Sequence, residues 1–223
     1  MDDAINGVLF DVDGTLVDTN YLHAVSWWEA FRQVDRTVPM ARIHRAIGMG
    51  SDKLLDHLLG DDHDPDLADK LRAAHLTLYA TYWDRLRPLP GAADLLRACA
   101  GRGLRVVLAS SASPDELGVL RRALNADDVI HTATSAGDAD NSKPDPDILS
   151  SAMDAAGLAA ERTVMVGDSV WDAVAANRAG VPCVGVTCGG TSEAELREAG
   201  AVEVYENPAA LCAALADSAL IRR

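Results

Sequence analysis

The chain has 223 residues, enough for one α/β domain or for a core that carries an inserted subdomain. Hydrophobic residues make up 48% of it, so a sizeable core can be buried, which argues against global disorder. The formal net charge of -14 argues against broad nucleic-acid binding, because a phosphate backbone rewards a density of Lys and Arg that is missing here; one lysine in a local pocket can still hold a small phosphorylated ligand.

The first predicted element is a short apolar strand at 8–10, which stops at the acidic and small residues DVDGT, 11–15. A helix-rich region follows over 16–87, without a strand. It contains Trp27, Trp28 and Phe31, a Gly-Met-Gly turn at 48–50 and a helical run over 67–82. Pro88, Pro90 and Gly91 break the chain, and helix and strand then alternate. Helix is predicted over 92–100, strand over 106–109, helix over 114–124 and a weak strand over 129–132. Asp145 is expected to cap the next helix, with Pro146 in its first turn. Strand is predicted over 164–166, helix over 173–179 ending at Gly180, and strand over 181–186. Ser192 and Glu195 have capping-box spacing, and a last strand is predicted over 202–205. Continuous apolar strands separated by helices imply a parallel sheet covered on both faces. The expected fold is therefore α/β: a doubly wound, Rossmann-like core (1–15 and 88–223) with an all-helical subdomain (16–87) inserted after the first strand.

Cys99, Cys183, Cys188 and Cys212 form no CxxC pair, and no His stands at zinc-ligand spacing, so reduced thiols in a cytoplasmic protein are expected. Asp2 and Asp3 are the opposite of a basic signal-peptide start, and no apolar run approaches the roughly 18 residues needed to span a bilayer. Residues 16–87 carry 11 acids and 9 bases, so most of the net negative charge falls on the core. That suits a lid over an anionic substrate, and solvated surface charge explains it equally well.

In an open parallel sheet, ligands bind beyond the carboxyl ends of the strands. Asp11 and Asp13 follow the first predicted strand, Ser110 the second, Lys143 lies in the loop after the third, and Asp168 and Asp172 follow the fourth. Any one of these could be a cap or turn residue. Together they share one chemistry: crowded carboxylates call for a hard divalent cation, and oxygen-only ligands favour magnesium over zinc. Lys143 and the metal would neutralise a phosphoryl group, Ser110 and backbone N–H groups would hold its remaining oxygens, and Gly14 would let the backbone approach closely. One carboxylate can act as a covalent nucleophile, and a second two residues on as acid and then base.

DVDGTLVDT (11–19), VVLASS (106–111), SKPDPD (142–147) and VGDSVWDA (166–173) resemble, in order and spacing, the four signature motifs of the haloacid dehalogenase superfamily, and the region after the first motif resembles its helical cap. The resemblance covers nearly the whole chain. It implies that Asp11 attacks phosphorus to form an aspartyl phosphate and that Asp13 protonates the leaving oxygen and then activates water. It further implies that Ser110 and Lys143 bind the transferring group, with Ser111 and Gly14 beside it. Mg2+ would be held by the Asp11 carboxylate, the Asp13 carbonyl and Asp168, with Asp172 orienting its surroundings. The dehalogenases and phosphonate-cleaving relatives lack the second aspartate, so Asp13 favours phosphoryl chemistry. The expected activity is Mg-dependent hydrolysis of a small phosphorylated metabolite. A rival is a sugar-phosphate mutase similar to β-phosphoglucomutase, in which His23 would match a hinge-region histidine, although a surface or hinge residue of a phosphatase is the favoured reading; the segment 48–53 offers only Lys53 to grip a distal phosphate, and a helical lysine is more often solvated. A phospho-ligand binding module without catalysis is a third reading. Trp27 and Trp28 suit a pocket wall or a helical core, one of the two at least the core. Asp61, Asp62, Asp64 and Asp66 lack the glycine and glutamate of an EF-hand and read as a solvated loop. Asp18 reads as a turn or linker residue.

Overall fold

The structure, a computed structural model, describes residues 4–60 and 62–222, so Asp2, Asp3 and Asp61 lie outside the described residues. Strand β1 (Gly7–Phe10) leads into four helices: α1 (Asn20–Gln33), α2 (Met40–Ala46), α3 (Ser51–Leu59) and α4 (Pro65–Ala80). The alternating part comprises α5 (Ala92–Gly101), β2 (Arg105–Ala109), α6 (Pro114–Leu124), β3 (Ile130–Thr134), α7 (Asp147–Ala156) and β4 (Thr163–Gly167). It continues through α8 (Val170–Arg178), β5 (Cys183–Val186), α9 (Glu193–Glu198), β6 (Ala201–Tyr205) and α10 (Pro208–Ala214). The sheet order is β3-β2-β1-β4-β5-β6, every pairing is parallel, and β1 sits in the middle.

The strands read as unbroken apolar runs because both faces are covered, and successive side chains point to opposite faces. Val8, Phe10, Val106, Leu108, Val164 and Val166 join one core with α5, α6 and α10. Leu9, Val107, Ala109 and Met165 join a second core with α7 and α8. The first four helices have an apolar core of their own, built on Trp27, Phe31, Ile43, Leu55 and Leu71. Their entry and exit segments run side by side: Val17 forms an isolated bridge with Pro88, Asp18 N–H donates to Arg87 O at 3.1 Å, and Leu89 N–H donates to Leu16 O at 2.8 Å. Among the described residues no helix is long and apolar enough to cross a membrane, and all four cysteines are free.

Several local expectations shift. Asp145 does not cap α7, whose N-cap is Pro146; the Asp145 carboxylate instead pairs with Lys53 and Arg178. Helix α8 starts at Val170 rather than 173, because Ser169 and Asp172 form a capping box there. Helix α4 starts at Pro65, capped by the Asp64 carboxylate, so that acid serves the helix. The expected box at Ser192 and Glu195 is present. Helix α10, which hydrophobic periodicity alone does not announce, starts from Asn207-Pro208, with the asparagine side chain accepting from Ala210 N–H.

Candidate active site

Parallel register brings the motif-bearing loops level with one another. Phe10 pairs with Leu108 on one side and Val166 on the other, so the residues after each strand emerge at one edge. Asp11 N–H donates to Val166 O at 2.9 Å, which fixes the first turn of the exit. Gly14 holds φ +76°, where a side chain is strained, and a Cβ there would run into the Asn20 amide.

Lys143 is completely buried beneath Asp11. Its ammonium donates to Asp11 Oδ1 at 2.6 Å and to Ala109 O at 2.9 Å, and lies 2.9 Å from Asp172 Oδ1 as an ion pair. Burial alone would lower the lysine's pKa, but Asp11 and Asp172 outweigh it and raise the value. Burial pushes the Asp11 carboxyl up to about 7, against the pull of Lys143. Asp168 is pushed well above the ordinary carboxylate value by burial and by Asp172 and Asp11. Its two oxygens accept from Thr15 Oγ1 at 2.9 Å and Asn20 Nδ2 at 2.7 Å. Asp172 Oδ2 accepts from Ser169 N–H and Oγ at 3.1 and 2.6 Å, which turns the other oxygen towards Lys143.

Asp11, Asp168 and Asp172 bring carboxylate oxygens within 4.8 Å of one another. Three buried acids against one lysine leave excess negative charge in a dry place, and the ligand atoms they offer are all oxygens, so the set fits a hard divalent cation. The Asp13 side chain turns away from these three. Its Oδ1 accepts from Thr19 Oγ1 at 2.7 Å and lies 3.3 Å from His23 Nε2, and Glu116 Oε1 is 3.5 Å from the same nitrogen. Burial would raise the Asp13 carboxyl, but the hydrogen bonds from His23 and Thr19 win and hold it below its ordinary value. For His23, burial would lower the pKa and the bond to Asp13 overcomes it, so the imidazole is raised. Burial raises Glu116 to about 7. On its other side His23 Nδ1 lies 3.1 Å from His75 Nε2, and burial and His23 hold His75 well below the usual imidazole range.

A cavity of about 240 Å³ opens over Asp11 and Asp13 and is walled by Trp27, Gly48, Arg72, His75, Ser111 and Glu116, among others. Ser111 Oγ is buried there without a hydrogen-bond partner, a hydroxyl able to donate to a bound oxyanion. Ser110 Oγ is buried and accepts from Ala112 N–H at 3.1 Å. Thus Asp11, Asp13, Gly14, Ser110, Ser111, Lys143, Asp168 and Asp172 converge at one edge, while Lys53 does not reach the cavity: it pairs with Asp145 at 3.3 Å beside the Ser142–Asp52 hydrogen bond of 2.6 Å, fastening α3 to the 142–145 loop. Trp27 is both core and wall, stacked 4.1 Å from His75, whereas Trp28 lies under Arg32. Sequence reasoning misses Thr15, Thr19, Asn20, His75, Glu116 and Arg72. The first three were within reach, since Thr15 stands four residues after Asp11, Thr19 closes the same motif and Asn20 follows it directly.

A family model for haloacid dehalogenase-like hydrolases matches residues 5–180. The chain is 31% identical over 219 residues to a phosphoglycolate phosphatase of Rhodospirillum rubrum, covering 92% of this chain and 88% of that protein. A hydrolase structure from Pseudomonas syringae superposes with a TM-score of 0.90 at 32% identity, over 95% of this chain and 98% of the other. A β-phosphoglucomutase structure from Clostridium difficile shares the fold, with a TM-score of 0.79 at 21% identity over 92% of each chain.

Proposed function

The chain belongs to the haloacid dehalogenase-like hydrolase family, and on that premise we propose that it is a magnesium-dependent phosphatase that hydrolyses a small phosphate monoester through an aspartyl phosphate on Asp11. The observation that carries the reading is the division of acids around β1: Asp11 faces Lys143 and Asp168, while Asp13 faces His23 and the open cavity. Two carboxylates two residues apart thereby have different partners and suit different tasks.

In this scheme an Asp11 oxygen attacks phosphorus as the ester oxygen leaves. Asp13, protonated when the ester binds beside it, gives that oxygen its proton and is left as a carboxylate. Asp13 then takes a proton from a water that attacks the acyl phosphate, releasing inorganic phosphate and restoring Asp11. Lys143 restrains Asp11 and offsets phosphoryl charge, and Ser110, Ser111 and backbone N–H groups near Gly14 hold the non-reacting oxygens. Asp11, the Asp13 carbonyl and Asp168 would hold Mg2+, with Asp172 steadying the set; the ion supplies charge neutralisation at the phosphoryl oxygens. Helices α1–α4 act as a cap over the reacting centre, and the cavity volume suits a metabolite rather than a polymer. The expected setting is the cytoplasm.

The deciding experiment incubates the enzyme with small phosphate esters and magnesium and follows free phosphate. Phosphate release that is lost in Asp11→Asn supports the reading; no release from any ester refutes it. The mutase reading is kept by one observation, His23 standing against Asp13. β-Glucose 1-phosphate with a trace of its bisphosphate separates the two: glucose 6-phosphate accumulating with little free phosphate would establish the mutase.

A further inference from the structure

Ser113 and Glu116 have capping-box spacing at the start of α6, as Ser169 and Asp172 do at α8 and Ser192 and Glu195 at α9. At α8 and α9 the acid side chain returns to the N-cap backbone and closes the box. At α6 only half of the box forms. Ser113 Oγ accepts from Glu116 N–H at 3.4 Å, while the Glu116 carboxylate leaves the helix end and lines the cavity over Asp11. It is 7% exposed there. A carboxylate that forgoes a local donor and goes into a dry place requires a partner in that place, and departures from local preference gather at working sites.

That partner is His23. Its Nε2 lies 3.3 Å from Asp13 Oδ1 and 3.5 Å from Glu116 Oε1. Carboxylates accept, so Nε2 carries the hydrogen and shares it between two oxygens at nearly equal reach. Both separations exceed the ~2.7–2.9 Å of a settled charged hydrogen bond. The ring itself is held from other sides, by the Tyr79 stack at 3.9 Å and by His75 Nε2 at 3.1 Å from Nδ1. His23 belongs to α1, whereas Asp13 and Glu116 belong to the core, so one imidazole of the inserted helices has two core acceptors.

We infer that Glu116 is a positioning residue of the reaction: it is the alternate acceptor for the His23 Nε2 hydrogen, so that Asp13 can leave the imidazole for the ester oxygen without orphaning a buried N–H. This rests on the phosphatase reading, in which Asp13 serves the leaving oxygen. Glu116 transfers no proton and touches no substrate; it takes over a hydrogen bond. Without it, His23 has Asp13 alone, the pair closes up, and each approach of Asp13 to the ester strands a buried donor.

The test compares kcat/KM, with magnesium, for glycerol 2-phosphate and p-nitrophenyl phosphate. This ratio constant reports the steps up to loss of the leaving group, and nitrophenolate leaves without a proton whereas an alkoxide requires one. Glu116→Met should lower the value for the alkyl ester by about tenfold or more and that for the aryl ester by no more than about twofold, so the aryl ester is the internal control for folding. Glu116→Gln, which keeps an acceptor oxygen, should fall between wild type and Glu116→Met. In a His23→Phe background the Glu116→Met change should have no further selective effect on the alkyl ester, because the group it acts through is gone. Equal losses on both esters, or a selective alkyl loss that persists in His23→Phe, overturn the inference, as does a wild type that cleaves only the aryl ester. If neither ester releases phosphate, the phosphatase reading falls and the inference with it; if both do and Glu116→Met leaves their ratio unchanged, the inference alone falls.

Discussion

Replacing Lys143 by Met tests whether one buried cation holds the active-site acids together. The ammonium is fully buried and lies 2.6 Å from Asp11 Oδ1 and 2.9 Å from Asp172 Oδ1. At an effective dielectric of ~20, each contact is worth roughly 6 kcal/mol before desolvation is subtracted. Methionine fills much of the volume but leaves two buried carboxylates facing one another, and breaking a buried pair in this way costs about 3–5 kcal/mol. For a chain of this length that lowers Tm by roughly 6–20 °C. The pH dependence has a definite sign. Asp11, already raised to about 7 in the wild type, climbs further once its cation is gone. A carboxyl raised above its unfolded value makes the folded state the better proton binder, so stability falls as pH rises up to the folded pKa. In the wild type that fall ends near pH 7, and in Lys143→Met it continues above, so the deficit should be larger at pH 8.5 than at pH 6. Thermal melts in chelator at both pH values read this directly, and adding Asp11→Asn should recover part of the loss. A Tm within 2 °C of wild type at pH 8.5, or an equal deficit at both pH values, would refute the reasoning.

Asp13→Asn should keep metal affinity, because its side chain faces His23 rather than Asp11 and Asp168, yet lose turnover on alkyl phosphates by at least ~10²-fold; isothermal titration and steady-state kinetics separate the two effects. Phosphatase activity should vanish on exhaustive chelation and return with magnesium, while calcium, larger and looser in coordination, should inhibit; full activity in chelator would sink the metal assignment. Gly14→Ala should weaken magnesium binding and cost about 1–3 kcal/mol, because it strains a φ of +76° and displaces the Asn20 amide that bonds Asp168; calorimetry and denaturant melts check both halves.

The sheet and its motif-bearing ends were legible because their determinants are local. Unbroken apolar runs such as Val106–Ala109 within β2 mark strands buried on two faces, and acids or Ser follow them directly. The site residues that escaped depend on how helices seat on that sheet. Glu116 and His75 reach His23 from α6 and α4, far away in sequence, and no local pattern encodes that docking. Lys53 and Arg72 show the same limit: both are helical cations, and only the packing of α3 and α4 decides that Lys53 meets Asp145 while Arg72 reaches the cavity. Caps were misread where two candidates adjoined, as at Asp145 and Pro146, since a side chain with better ion-pair partners leaves the helix end.

The bridged segments at 16–18 and 87–89 mean that the chain enters and leaves the four-helix segment at one place rather than two. A segment whose entry and exit lie adjacent and bonded to each other can change in length and content without rerouting any sheet crossover. What is inserted there can therefore vary while Asp11, Lys143 and Asp168 keep their places at the sheet edge.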